Sequence, residues 1–314
     1  MSSSSNKAAS VHQKLLNRAR AEGEDFQALL LRYVLERFLY RLSRSPHRDR
    51  FVVKGAMLFV LWEGNLHRMT RDLDLLGFGA TTSIIEVEQA IREIVATEVE
   101  DDGVVIAADT VRGGLIREEQ AYEGVRVTAD AQVGNARVRV KVDIGFGDVI
   151  TPEAEEVAFP TLLGDPSPVL RAYPKETVVA EKLQAMVVLG ILNSRMKDFY
   201  DLWHLARSYA FDDQTLTDAV IATFARRGAT FPEDEPLALT EEFATDVGKR
   251  VQWRAFVRRG RLRSEAPFEE VIVDLRRFLL PVLEAARTGS SRAMHWKPGG
   301  PWAKWVKGAR DLRL

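Results

Sequence analysis

Two aspartates stand two residues apart in RMTRDLDLL, Arg68–Leu76. If that run is a strand, Asp72 and Asp74 project from one face with Cα atoms about 7 Å apart, near enough to share or bridge divalent cations. Such a pair suits metal-assisted phosphoryl or nucleotidyl transfer, where cations activate an attacking hydroxyl and steady a leaving pyrophosphate. A solvated strand face also carries paired acids, so the neighbours decide. Upstream, Lys54-Gly55-Ala56 turns the chain after an apolar strand, and a glycine there lets backbone approach phosphate oxygens. Asp143, in RVKVDIGFGD, stands opposite Val138, Val140, Val142 and Ile144 and is expected as a third carboxylate from a neighbouring strand. Its ordinary alternative is an exposed acid paired with Arg139 or Lys141. Further on, Lys182 lies beside a helix's apolar stripe, either as a snorkelling edge residue or as a cation for a triphosphate. Asp198 and Asp201, three apart, share one face in the first turn of another helix, where negative charge is favoured.

These residues need scaffolding. Apolar spacings of three and four predict two helices over residues 11–42, separated near Gly23. A short strand at Val52–Val53, a helix from Met57 to Trp62 ended by Gly64-Asn65, a strand from Arg68 to Leu76 and an amphipathic helix from Ile84 to Glu98 follow. Three β-like stretches come next, Val104–Val111, Gly124–Ala131 and Ala136–Phe146, the last with clean alternation. Four prolines fall within the connector Pro152–Pro168. Beyond it the pattern is helical: Lys175–Leu189, Met196–Tyr209, Thr215–Arg227, Glu241–Arg258 and Phe268–Ala286. The expected division is 1–165 for N-terminal helices plus an α/β core, 166–290 for a helical domain and 291–314 for a basic, Trp-containing tail.

The chain has 314 residues, 46% of them hydrophobic, enough for an ordinary globular core. It has no cysteine, which excludes disulfides, thiolate metal sites and a Cys nucleophile. The polar start MSSSSNKAAS does not read as a secretory signal, and no apolar run nears the roughly 20 residues of a membrane span. A soluble, cytoplasmic protein is expected. Net charge is −1, but residues 1–50 carry +5 and residues 287–314 carry +6, leaving −12 in the middle. An acidic centre with basic ends suits metal-binding carboxylates beside surfaces that attract a polyanion. His67 and His204 are too isolated for a zinc site, and Gly145-Phe146-Gly147 lacks dinucleotide-fingerprint spacing.

Lys54-Gly55, then RMTRDLDL (Arg68–Leu75), KVDIGFGD (Lys141–Asp148), EKLQA (Glu181–Ala185) and RMKDFYDL (Arg195–Leu202) occur in this order. Together they resemble the motifs of the AbiEii/AbiGii (MenT-like) toxin family, nucleotidyltransferases of the DNA-polymerase-β superfamily, over residues 50 to 205. The resemblance implies an α+β fold: a mixed-sheet nucleotidyltransferase lobe flanked by helices, then a helical lobe, with the active site in the cleft between them. It implies that Asp72 and Asp74 bind Mg²⁺, with Mn²⁺ as the alternative, and that Asp143 falls at the second motif. Lys182 would contact the phosphates of a nucleoside triphosphate, and Asp198 or Asp201 would complete the site. Lys54, Gly55, Ala56, Arg68, Thr70, Arg195 and Lys197 fall within the matching motifs as nucleotide-binding candidates. Ala56 replaces the superfamily's second Gly or Ser, removing a possible hydroxyl contact to phosphate.

The implied activity is that of a type IV toxin–antitoxin, phage-defence protein transferring a nucleotide, a pyrimidine by family habit, to the 3′ end of tRNA, which blocks translation. The implied partners are the tRNA acceptor end and a winged-helix antitoxin. Basic Lys249–Arg263, with Arg250, Trp253, Arg254 and Arg258, fits an RNA partner through phosphate neutralisation and base stacking, while Val251, Ala255 and Phe256 point to part of the segment as core, where a tryptophan is more often buried than stacking. Trp296, Trp302 and Trp305 among lysines raise the same question. Two other readings stay open: the same chemistry on a protein or small-molecule hydroxyl, and a non-catalytic nucleotide- or antitoxin-binding module.

Overall fold

The computed structural model describes residues 3–65, 67–79, 83–116, 124–260, 262, 266–290 and 292–304. The chain divides into two compact units, Met1–Gly147 with Glu155–Tyr173, and Asp148–Ala154 with Pro174–Leu314.

The first unit holds helices α1 (Ser3–Glu22) and α2 (Phe26–Arg44), strand β1 (Phe51–Lys54), helix α3 (Met57–Glu63), strand β2 (Leu73–Gly77) and helix α4 (Ile84–Val95). Strands β3 (Val104–Ile106), β4 (Arg112–Ile116), β5 (Gly124–Val133), β6 (Ala136–Phe146), β7 (Glu155–Ala158) and β8 (Val169–Ala172) complete it. They form one mixed sheet in the order β3-β5-β6-β2-β1-β8-β7, with β4 also on β5. The β2–β6 and β1–β8 pairs are parallel and the others antiparallel. Alternation builds a two-sided sheet: Val125, Val127, Val140, Val142, Ile144, Leu73 and Leu75 are buried, and α1, α2 and α4 contact the sheet. The intervening residues are polar and point the other way.

Helix α2 carries more than its apolar stripe. Arg32, Glu36, Arg37 and Arg41 are buried with it. Arg41 forks onto Asp102 at 2.7 and 3.1 Å, the Tyr33 hydroxyl donates to Asp165 at 2.9 Å, and Glu36 accepts the Leu162 N–H at 2.7 Å. These bonds tie α2 to two loops of the same unit, which explains why charged residues tolerate that burial.

Several boundaries differ from the sequence reading. The expected strand at Arg68–Leu76 begins only at Leu73, so Asp72 sits just before it. Strands β4, β7 and β8 were not anticipated: β4 is glycine-rich, β7 and β8 lie in or next to the proline-containing connector, and both compositions mask pairing that tertiary neighbours supply.

The second unit contains α5 (Lys175–Leu189), α6 (Met196–Ser208), β9 (Phe211–Asp212), α7 (Asp213–Arg226), α8 (Glu241–Thr245), α9 (Val247–Gly260) and α10 (Phe268–Thr288). It ends in β10 (Met294–Trp296) and β11 (Trp302–Lys304), which form a small sheet with β9. The single helix expected over Glu241–Arg258 is broken at Asp246, whose extended backbone and carboxylate, accepting the Lys249 N–H at 2.8 Å, start a new helix. In the tail, Trp296 is buried and donates to the Ala206 carbonyl, and Trp302 donates to that of Phe278. Trp305 and Lys307 lie outside the described residues. No described helix is long and apolar enough to cross a membrane.

Candidate active site

In the first unit, register assembles a row of charge. Lys54 pairs with Asp74 across β1–β2, Asp74 with Asp143 across β2–β6, and Asp143 with Arg126 across β6–β5. Directly opposed residues share a face, so four strands present Lys54, Asp74, Asp143 and Arg126 side by side. The order is cation, two acids, cation. Asp72, two residues before Asp74, is placed on that face beside Lys141, whose ammonium reaches its carboxylate at 3.0 Å. The Thr70 hydroxyl lies 3.1 Å from the other Asp72 oxygen and 3.0 Å from its carbonyl, which holds the approach to β2.

Gly55 is required twice. Its φ of +72° favours glycine, and a Cβ there would lie 1.9 Å from Asp74 Oδ2. The turn is therefore a bare seat for the Asp74 carboxylate as well as a possible approach to phosphate. Ala56 is buried at the start of α3, with its methyl in the core. The Lys54 ammonium sits 5.4 Å from the Tyr173 ring centroid, above Gly145. Arg68 is half-buried, its guanidinium 3.5 Å from the Met69 carbonyl.

Asp143 is brought beside Asp74 as expected, but Arg126 clasps it with two bonds of 2.7 Å. That bond, and beyond it the charges of Asp143, Asp72 and Asp74, raises the Arg126 guanidinium's proton affinity. Among the described residues no cluster of three His, Asp or Glu has the arrangement of a metal site. Asp72 and Asp74 nevertheless fit a hard divalent cation: both offer only oxygen donors, they flank Leu73 on one face, and Mg²⁺ commonly takes one or two protein carboxylates and fills its remaining positions with water and phosphate oxygens.

In the second unit, Lys182 on α5 bridges both acids of α6. Its ammonium bonds Asp198 and lies 3.0 Å from Asp201, whose side chain is 1% exposed. The sequence alternatives of edge lysine and phosphate cation are thus joined by a third role, neutralising two buried acids. Arg195 precedes α6, with its backbone N–H on Asn193, while Lys197 is exposed. Arg227 escaped the sequence reading. It bonds Asp148 at 2.9 Å and Gln184 at 3.0 Å, so Asp148 is an ion-pair partner.

Residues 37–273 match the profile of the AbiEii nucleotidyl transferase toxins of type IV toxin–antitoxin systems. The chain belongs to that family. It is a nucleotidyltransferase, and its family pairs it with an antitoxin. No curated protein matches it. Among solved structures, JHP933 from Helicobacter pylori is 14% identical with a TM-score of 0.47, covering 84% of this chain and 94% of its own. A second H. pylori protein, named as a candidate nucleotidyltransferase, is also 14% identical with a TM-score of 0.46, over 85% of this chain and 99% of its own.

The basic stretch of this AbiEii chain takes the core alternative at Trp253. Trp253 is 3% exposed, packs between Tyr200 and Phe268, and donates its indole N–H to the Ala266 carbonyl at 3.0 Å. It belongs to the core and cannot stack on a base, because its face is already covered. Lys249 is buried as well, donating to the Asn193 carbonyl at 2.8 Å, and burial lowers its pKa. Arg250 pairs with Glu269 at 2.8 Å. Arg254 and Arg258 are exposed beside a concavity of about 390 Å³. Arg261 and Arg263 lie outside the described residues.

Proposed function

We propose that the chain transfers a nucleoside monophosphate from a nucleoside triphosphate to the 3′-hydroxyl of an RNA, with a tRNA acceptor end as substrate and translation arrest as the result. The observation that carries this is the seating of Asp74 over Gly55, with Asp72 beside it on the same sheet face, in a chain of the AbiEii family. The hydroxyl gives up its proton to solvent as its oxygen forms a bond to the α-phosphorus, the bond from that phosphorus to the α–β bridging oxygen breaks, and pyrophosphate leaves with that oxygen. Asp72 and Asp74 would hold Mg²⁺, which when bound lowers the charge repulsion between nucleophile and triphosphate. Lys54, one register step from Asp74, offers a cation to the phosphates. Lys141 and Arg126 hold Asp72 and Asp143 in place and offset the charge of the acidic row. From the family's later motifs, Lys182 of α5, held by Asp198 and Asp201 of α6, and Arg195 and Lys197 at the start of α6 are the further candidate nucleotide contacts. Pyrimidine triphosphates are the expected donors, and the expected partner is a winged-helix antitoxin.

The test is incubation of the protein with Mg²⁺, each α-labelled triphosphate in turn and total tRNA. Label on RNA, greater from CTP or UTP than from ATP or GTP, is the expected result. Label on protein or on a small molecule selects the other acceptor, and no label anywhere from folded protein rejects the proposal.

A further inference from the structure

The acidic row is one end of a longer polar face. Along β6, Arg137, Arg139 and Lys141 alternate with buried or half-buried valines and therefore point the same way as Asp143. Steps of two residues put these cations at intervals of about 7 Å, so the three span about 13 Å and lead to the carboxylates. Neighbouring strands complete the rows: Arg137 faces Gln132 and then Val105, and Arg139 faces Asp130. At the end away from the acids these rows floor a concavity of about 480 Å³. Val105 is 56% exposed there, an apolar side chain beside an amide and a guanidinium. Asp130, 3.6 Å from Arg139, is over 60% exposed, as is Arg139, so their pairing is weak and yields to a stronger anion.

We infer that this face of β6 is the track for the single-stranded 3′ end of the RNA acceptor, with Arg139 and Lys141 on its phosphates and an unpaired base against Arg137, Gln132 and Val105. This rests on the RNA-transfer reading above. Charge complementarity favours a polyanion, because three cations lie on one strand and the acids sit at one end, where the hydroxyl must arrive. A guanidinium plane stacks on any base, and the Gln132 amide can donate and accept at a base edge. The track is continuous with the catalytic face because the same strand carries Asp143.

The test compares the full-length protein with the Arg137→Glu/Arg139→Glu variant. Steady-state transfer should show KM for tRNA raised about tenfold or more, with kcat at saturating tRNA and KM for the triphosphate within about twofold of the parent. Anisotropy of a short labelled single-stranded RNA should show weaker binding, with the salt slope reduced by about 0.7 for the one phosphate contact that Arg139 loses. Arg137→Lys/Arg139→Lys should retain most of the binding. An unchanged KM and salt slope in a folded variant would overturn the track, as would an equal loss of triphosphate binding, which reports general damage. Loss confined to Arg254→Glu/Arg258→Glu would move the RNA to α9 and likewise overturn it. RNA binding that depends on Arg137 and Arg139 without any label transfer would sustain the track and reject the transfer reading.

Discussion

Asp74 and Gly55 make a single device. The carboxylate occupies the space where any other residue would place a Cβ, and the turn's positive φ reinforces that exclusion. Gly55→Ala should cost about 1–2 kcal/mol from the left-handed backbone alone and displace Asp74, which a denaturant melt and a transfer assay on the same preparation will show. Asp74→Asn keeps the shape and removes the charge. Transfer should fall about 10³-fold with the circular dichroism spectrum unchanged, since several kcal/mol of transition-state stabilisation depends on the cation the carboxylate would hold. That Asp72 and Asp74 share one face was legible from their spacing. Arg126 was not, because nothing in GVRVTA marks one arginine as the partner of Asp143; only the β5–β6 register does.

At the scale of elements, α5 and α6 are joined by a three-residue ion cluster. Lys182→Met leaves Asp198 and Asp201 buried without their counter-ion and should destabilise the second unit by about 3–5 kcal/mol in urea unfolding. Lys182→Met/Asp198→Asn/Asp201→Asn should recover much of that stability while transfer stays lost, separating the structural role from the phosphate role. Helix α9 reads as a basic, RNA-facing segment from composition, yet it packs Trp253 inward. Trp253→Ala should therefore cost about 3–5 kcal/mol of stability, measured by thermal or denaturant melting. Both placements stay open in the sequence for a physical reason: one aromatic among arginines has the same composition whether its helix turns it outward or inward, and Tyr200 and Phe268 decide the matter from other helices.

On the scale of the whole molecule, stability is coupled to pH through α2. Burial pushes the Glu36 carboxyl up to about 7, partly opposed by Arg37 and the Leu162 N–H. Its native form thus holds a proton more tightly than its unfolded form, and its contribution to stability is lost as pH rises towards and through about 7. The melting temperature should fall between pH 5.5 and pH 8, and Glu36→Gln should flatten that fall. A steeper fall in the variant would show that the carboxylate is the favoured buried form. By itself, the sequence determined that Asp72 and Asp74 share a face, the helices from Lys175 onward apart from the break at Asp246, and the family, because ordered motifs and apolar spacing are local properties of the chain. Only the tertiary structure decided that Asp143 is shared with Arg126, that Lys182 neutralises two buried acids and that Trp253 is core. Strand register and helix packing join residues far apart in sequence, and no local pattern encodes which of several like-charged candidates will meet.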